Sequence, residues 1–300
     1  MAAADKLRRV EWPTLGLLVL CYGVWMIGTT WLAEFWQPLG FLATMLALTQ
    51  HSSLQHEALH GHPFRHSELN EALVSLPVGL FIPYRRFRDT HLAHHIDCNL
   101  TDPYDDPESN YLDPKVWPRL SGWQKTVLRL NNTLLGRMVL GPLISQVYFM
   151  SSDWRSVQSG DRRVLTAWVL HLVGLVPVVW WLTRISHLPL WAYVLAAYGA
   201  LSVLKIRTFL EHQAHPDITG RTVIIEDHGP LAVLFLNNNL HLVHHMKPKA
   251  PWYKLPALYA AQKESFLQMN RHYVYLSYGQ IFHRYFLAAK DPVPHPLREE

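Results

Sequence analysis

A chain of 300 residues with 27 Lys and Arg against 23 Asp and Glu is only mildly basic, and nothing in that balance supports a nucleic-acid partner. Hydrophobic residues make up 49% of it, with 12 Trp and 13 Tyr, which is too apolar for an ordinary soluble domain and suits aromatic belts at a bilayer surface. Its two cysteines, Cys21 in an apolar run and Cys98 in a polar loop, exclude a self-held iron–sulfur cluster and argue against a disulfide.

After a short basic N-terminus (Lys6, Arg8, Arg9), an apolar run over about residues 15–32 is long enough to cross a bilayer and reads as a retained helix. A second run starts near Leu39 and turns polar after Leu48. It reads as one helix over about residues 39–60 that leaves the membrane carrying the stretch HEALHGH. The segment NEALVSLPVGLFIPY is apolar but short, and Pro77 and Pro83 break it, so it reads as interfacial or re-entrant. LLGRMVLGPLISQVYFM, with its Gly and Pro interruptions, reads the same way, and NLTDPYDDPESNYLDP is an acidic, turn-rich loop. Two further spans follow, about residues 164–182 and 188–207, joined by TRISHLP. The C-terminal third is mostly water-facing, and HYVYLSYGQIFHRYF suits an interfacial position. Arg65, Arg85, Arg86 and Arg88 in the long middle region, and Lys247, Lys249 and Lys254 near the end, face a single Arg184 in the two short links. The excess of positive charge places both termini and the middle region in the cytoplasm.

Histidine is the outlier: 19 residues, roughly three times an average share. His56 and His60 lie four apart in HEALH. HLAHH holds His91, His94 and His95; HLVHH holds His241, His244 and His245. On a helix, i, i+3 and i+4 project from one face within a turn, so each triplet is read as able to hold a single metal. Eight imidazoles exceed what one tetrahedral zinc takes and suit two metals with larger shells and open positions for oxygen. Isolated histidines such as His171, His187, His272, His283 and His295 read as polar residues at headgroup level.

With these motifs in this order, the chain resembles the integral-membrane di-iron fatty acid desaturases and their hydroxylase and ketolase relatives. TFLEHQAHPD resembles a family element around a further ligand, His212, with His215 the alternative there. The resemblance implies an all-α integral membrane protein, a single domain over residues 1–300, in which about four transmembrane helices carry a cytoplasmic helical cap. It also implies two Fe ions held by His56, His60, His91, His94, His95, His212, His241, His244 and His245. His62 and His66 follow the first box closely. Glu57, Asp97, Glu211, Asn238 and His215 are candidate partners that orient the ligands. The implied setting is a bacterial inner membrane, with a lipid acyl or alkyl substrate, O2, and a separate ferredoxin- or cytochrome-type donor with its reductase.

Other readings stay open. HHMKPKAPWYKLP is similar to a region of bacterial carotenoid ketolases, and hydroxylation differs from desaturation only in the fate of the carbon radical. Some relatives act on small amino-acid-derived chains. HEALH is also H-E-x-x-H, the zinc-protease pattern, with Glu57 as general base and the other boxes idle. A metal transporter would place its ligands nearer the bilayer midplane.

Overall fold

The computed structural model describes residues 10–96 and 100–298; Lys6, Arg8, Arg9, Asp97 and Cys98 lie outside them. Helix α1 (Trp12–Ile27) opens on Pro13, whose missing N–H falls where a helix has no internal acceptor. It continues through a π-turn, Gly28–Leu32, and a last turn, Ala33–Phe35. The Thr29 and Thr30 hydroxyls donate back to the Trp25 and Met26 carbonyls along this stretch. The sequence reading ended this helix near residue 32. It runs on because Ala-Glu-Phe does not oppose a helix, and the break is confined to Trp36 (φ −159°, ψ 108°), after which Pro38 opens the next helix.

Helix α2 (Gln37–Leu59) ends at His60, with Gly61 at φ 103° supplying the left-handed residue that terminates it. Then follow α3 (Ser67–Val74), an irregular stretch over residues 75–83, and α4 (Tyr84–Ile96). Helix α5 (Gly122–Asn131) is fixed by a reciprocal cap between Ser121 and Gln124. After α6 (Leu134–Val139) comes α7 (Gly141–Gln158), and the break at Leu140 between them interrupts LLGRMVLGPLISQVYFM beside its Gly-Pro pair, as the sequence suggests. The interruption is a start signal: Gly141-Pro142 stands at the helix N-terminus, where proline is tolerated. Asp161 caps α8 (Arg162–Arg184) by accepting from Arg163 and Val164 N–H groups, and α9 is Leu190–Thr208.

Beyond α9 lie β1 (Ile224–Ile225), α10 (Pro230–Leu234), α11 (His241–Met246), α12 (Leu255–Ala261), α13 (Lys263–Met269), β2 (Val274–Tyr275) and α14 (Tyr278–Tyr285). β1 and β2 pair in parallel, a small departure from the all-helical expectation. Ile224 of β1 shares a core with Leu240, Leu242, Val243 and Leu255.

The chain divides into two compact units. The first comprises Met1–Arg88 and Ser145–Leu201, the second Asp89–Ile144 and Ser202–Glu300. In the first unit, Trp25, Ala47, Leu48, Val178, Leu182, Tyr193 and Ala197 share a core. Gly40 packs where a Cβ would lie 2.5 Å from the Ala33 Cα, so only glycine lets α2 approach the end of the first helix. Among the described residues, three helices are long and apolar enough to cross a membrane: Trp12–Phe35, α8 and α9. Helix α2 is as long, but its second half, TQHSSLQHEAL, is polar.

The irregular stretch over residues 75–83 and the turn before it are held by side chains of the first unit's helices. Tyr22 donates to the Leu73 carbonyl (2.8 Å), Gln55 to Val74 (2.9 Å), Tyr193 to Val78 (2.6 Å), His171 to Leu80 (2.8 Å) and Gln146 to Phe81 (3.0 Å). His171, read from sequence as an isolated polar residue, is buried and bound here. A backbone that has left helical geometry away from water needs such donors.

Candidate metal centre

Box two lies on α4 and box three on α11, and neither triplet stays together. His91 and His95 join His244 of the other helix, while His94 joins His241, His245 and His212. Each box therefore sends its i and i+4 imidazoles to one cluster and its i+3 imidazole to the other, instead of offering all three to one metal. The reason is angular: i and i+4 lie nearly in line along a helix, while i+3 sits on the other side of that line.

Within each cluster the Nε2 atoms converge. His91 and His95 Nε2 are 3.0 Å apart, and His95 and His244 3.1 Å. In the second cluster the separations are 3.0 Å for His94–His212, 3.2 Å for His212–His241 and 3.1 Å for His241–His245. The clusters adjoin, with the His95 and His245 rings stacked at 4.2 Å.

Several Nδ1 atoms face acceptors. His91 Nδ1 lies 2.7 Å from Glu108 Oε1, His94 Nδ1 2.8 Å from Asp106 Oδ1, and His241 Nδ1 3.2 Å from Asn238 Oδ1. A ring that donates its Nδ1 proton to such an oxygen presents a bare lone pair at Nε2 when neutral. Lone pairs facing one another at about 3 Å repel unless a proton or a metal cation lies between them, so the converging Nε2 atoms form donor sets that could hold a metal ion.

The electrostatics point the same way. Burial, reinforced by neighbouring imidazoles, holds His212, His241 and His245 well below the ordinary histidine range, in the neutral form that binds metal. Burial, with His91 and His94 nearby, pushes His95 down to about 3. His94 differs: burial would lower it, but the Glu108 and Asp106 carboxylates outweigh that and raise it to about 9. Burial opposes ionisation of Glu108, yet His91 and His94 keep its carboxyl well below the carboxylate range.

The remaining predicted residues fall as follows. Glu211 is buried, 3.0 Å from Arg207 Nε, 3.2 Å from Asn238 Nδ2 and 3.8 Å from His241 Nδ1. Burial raises its carboxyl despite Arg207. The other asparagines of the NNN triplet serve the loop: Asn237 donates to the Trp252 carbonyl and Asn239 to the Ile225 and Asp227 carbonyls. His215 Nδ1 accepts from the Asp217 N–H, within its own turn and apart from both clusters. In the first unit, the His56 and His60 rings lie 5.0 Å apart at the end of α2. Glu57 meets His62 there (3.9 Å), and His62 Nδ1 reaches Glu11 at 2.8 Å. His66 is exposed just before α3, and Asp97 lies outside the described residues.

Sequence reasoning did not single out Asp106 and Glu108. The available signal was an acidic, turn-rich loop a dozen residues after box two. There Asp106 is pinned: its Oδ2 accepts from the Thr101 N–H (2.8 Å) and its Oδ1 from the Glu108 N–H (2.9 Å).

The family profile described as Fatty acid desaturase matches residues 29–277, most of the chain, including every histidine of the two clusters. The chain belongs to the fatty acid desaturase family. A search of curated proteins finds no match. For a fatty acid desaturase family member, membrane-capable helices together with histidine clusters that can hold metal are the expected equipment, and this chain has both.

Proposed function

We propose that this protein is a membrane-bound di-iron oxygenase that desaturates an acyl or alkyl chain with O2 and electrons from a separate donor. The observation that carries the reading is the pair of adjoining histidine clusters, built from two helices that each contribute to both. The family resemblance adds His56 and His60 as ligands, so nine imidazoles serve two irons.

Bound iron would supply the oxidising power to break an unactivated C–H bond, which no side chain provides. The overall reaction is –CH2–CH2– + O2 + 2 e− + 2 H+ → –CH=CH– + 2 H2O. The chain's own part is positional. Asp106, Glu108 and Asn238 keep the Nδ1 protons of their histidines directed away from the metal, so that Nε2 remains the ligand. Burial of the clusters excludes water and keeps His95, His212, His241 and His245 neutral. The substrate's chain enters from the bilayer.

In this reading α1, α2, α8 and α9 all span, with both termini and the clusters cytoplasmic. The ends of the short links support it. Ser186 Oγ and the His187 N–H both donate to the Thr29 carbonyl, so the turn after α1 and the α8–α9 link share one end of the first unit. Reporter fusions at Gln37 and His187 should map opposite to fusions at Pro107 and Glu300; a cytoplasmic signal at His187 overturns the topology.

The decisive experiment is metal content and product analysis of purified protein. Iron near two per chain, with product formed only when an external donor and reductase are supplied, is the expected result. Zinc in place of iron, or steady turnover without external reductant, rejects the proposal.

A further inference from the structure

The histidines on α4 and α11 are fixed by helix backbone, but His212 is not on a helix. It follows α9 in an extended segment whose one edge pairs with residues 221–223: the Gln213 N–H donates to Arg221 O (2.9 Å) and the Val223 N–H to Glu211 O (3.1 Å). On that side Thr222 Oγ1 also lies 3.3 Å from His212 Nδ1.

The rest of the segment's hold comes from residues far away in sequence. Lys290 Nζ donates to the His212 carbonyl, and the Ala214 N–H donates to Tyr111 Oη at 2.9 Å. Both supports meet at one carboxylate. The Tyr111 hydroxyl donates to Asp291 Oδ2 at 2.5 Å, and Lys290 Nζ lies 3.4 Å from the same oxygen.

The Lys290–Asp291 pair is itself anchored. The Lys290 N–H donates to Asn132 O (3.0 Å), Asn132 Nδ2 donates to Asp291 O, and Ala289 bridges Thr133. The Lys290 side chain is only 10% exposed. Sequestering an ammonium is costly unless its hydrogen bonds are met, so its position is defined by the carbonyl and carboxylate it reaches.

The same C-terminal segment also ties down the loop that carries Asp106 and Glu108. The Leu112 N–H donates to Val293 O (2.9 Å) and the His295 N–H to Leu112 O (2.8 Å). The His295 ring packs on Tyr111 and lies 3.1 Å from Thr101 Oγ1, while Arg298 pairs with Asp102. Val293, His295 and Arg298, like Lys290 and Asp291, lie beyond 277, where the family match ends.

We propose that Lys290, Asp291 and Tyr111 are positioning residues that hold His212 on its metal, making the C-terminal segment part of the metal centre. This rests on the two-metal reading above. With both supports removed, the segment from His212 to Ala214 is held along one edge only, and the imidazole loses its aim.

The test uses full-length protein in detergent, stripped with a chelator and titrated with Co(II), whose visible absorption reports each site. Wild type should bind two Co(II). Lys290→Met and, separately, Tyr111→Phe should weaken one of the two sites about 10-fold or more, as loss of an outer support does. The other site should stay within about twofold, so that the loss is confined to the site that holds His212 even where a stranded partner such as the Ala214 N–H lowers the thermal midpoint of the stripped protein. Tyr111→Phe removes a single oxygen, so it answers the question even where Lys290→Met fails to fold. Two sites of wild-type affinity in the variants overturn this inference alone. So does equal weakening of both sites with a lowered midpoint, which marks a purely structural role. Wild type that binds no Co(II) overturns the two-metal reading itself.

Discussion

The two units use buried polar groups for different ends. In the first, Tyr22, Gln55, Gln146, His171 and Tyr193 each donate to a backbone carbonyl, and the product is a shaped chain. In the second, imidazoles meet carboxylates, an amide and one another, and the product is a set of aimed lone pairs. The first arrangement consumes hydrogen-bonding capacity; the second leaves Nε2 capacity for something else to use. A buried histidine alone therefore says little. His171 and His94 are both buried, and only the partner of each tells a structural donor from a candidate ligand.

Substitutions on the two sides should separate stability from metal binding. The largest effect falls on His241. On the proposed di-iron reading His241→Ala removes a direct ligand, and iron content and product formation should collapse in plasma emission and mass-spectrometric assays. Glu57→Gln provides the contrast, since a zinc protease needs that carboxylate for its chemistry whereas a di-iron oxygenase does not. Iron should be retained and activity lowered no more than about 100-fold. Full activity in His241→Ala with zinc in the wild type would decide for the protease.

Next come Asp106→Asn and Glu108→Gln, which keep shape but remove the charge that faces Nδ1. Each should lower metal affinity by about 10- to 100-fold, measured by competition with a chelator. Unchanged affinity in both would mean that those carboxylates do not orient the ligands. Smallest should be Tyr193→Phe in the first unit. It strands the Val78 carbonyl and the Trp25 indole N–H, which donates to Tyr193 Oη at 2.7 Å. A stability loss of about 1–3 kcal/mol is expected. Metal stoichiometry should be untouched; lost metal there would erase the contrast between the units.

Much of the helical frame could be read from sequence because apolar runs, prolines and caps are local signals. The helices that Pro13, Pro38 and Asp161 open begin within about three residues of the span starts expected at 15, 39 and 164, and Gly61 ends the second where its span was expected to stop. Gly141-Pro142 marks a real boundary between α6 and α7, but that a full-length helix begins there is decided by the flanking structure, since the same dipeptide can break a helix or begin one. The boxes were visible as motifs, but their division between clusters was not. Which cluster takes His94 or His244 depends on how α4 and α11 face each other, which spacing along one helix does not contain. Asp106, Glu108 and Lys290 were hidden because their roles come from long-range contacts of turn and tail residues, whose composition alone looks like ordinary solvated loop.

The capped stretch at residues 75–83 has a kinetic consequence. Irregular chain usually trades its amide protons with solvent quickly, because local opening costs little there. Here the Val78, Leu80 and Phe81 N–H groups bond within the stretch, to Leu76, Pro77 and Gly79 carbonyls, while donors from the surrounding helices fasten the Val78, Leu80 and Phe81 carbonyls. Opening it requires those helices to let go as well. Deuterium uptake over this peptide should therefore be as slow as in α8 or α9, and Tyr193→Phe should speed it before either helix responds.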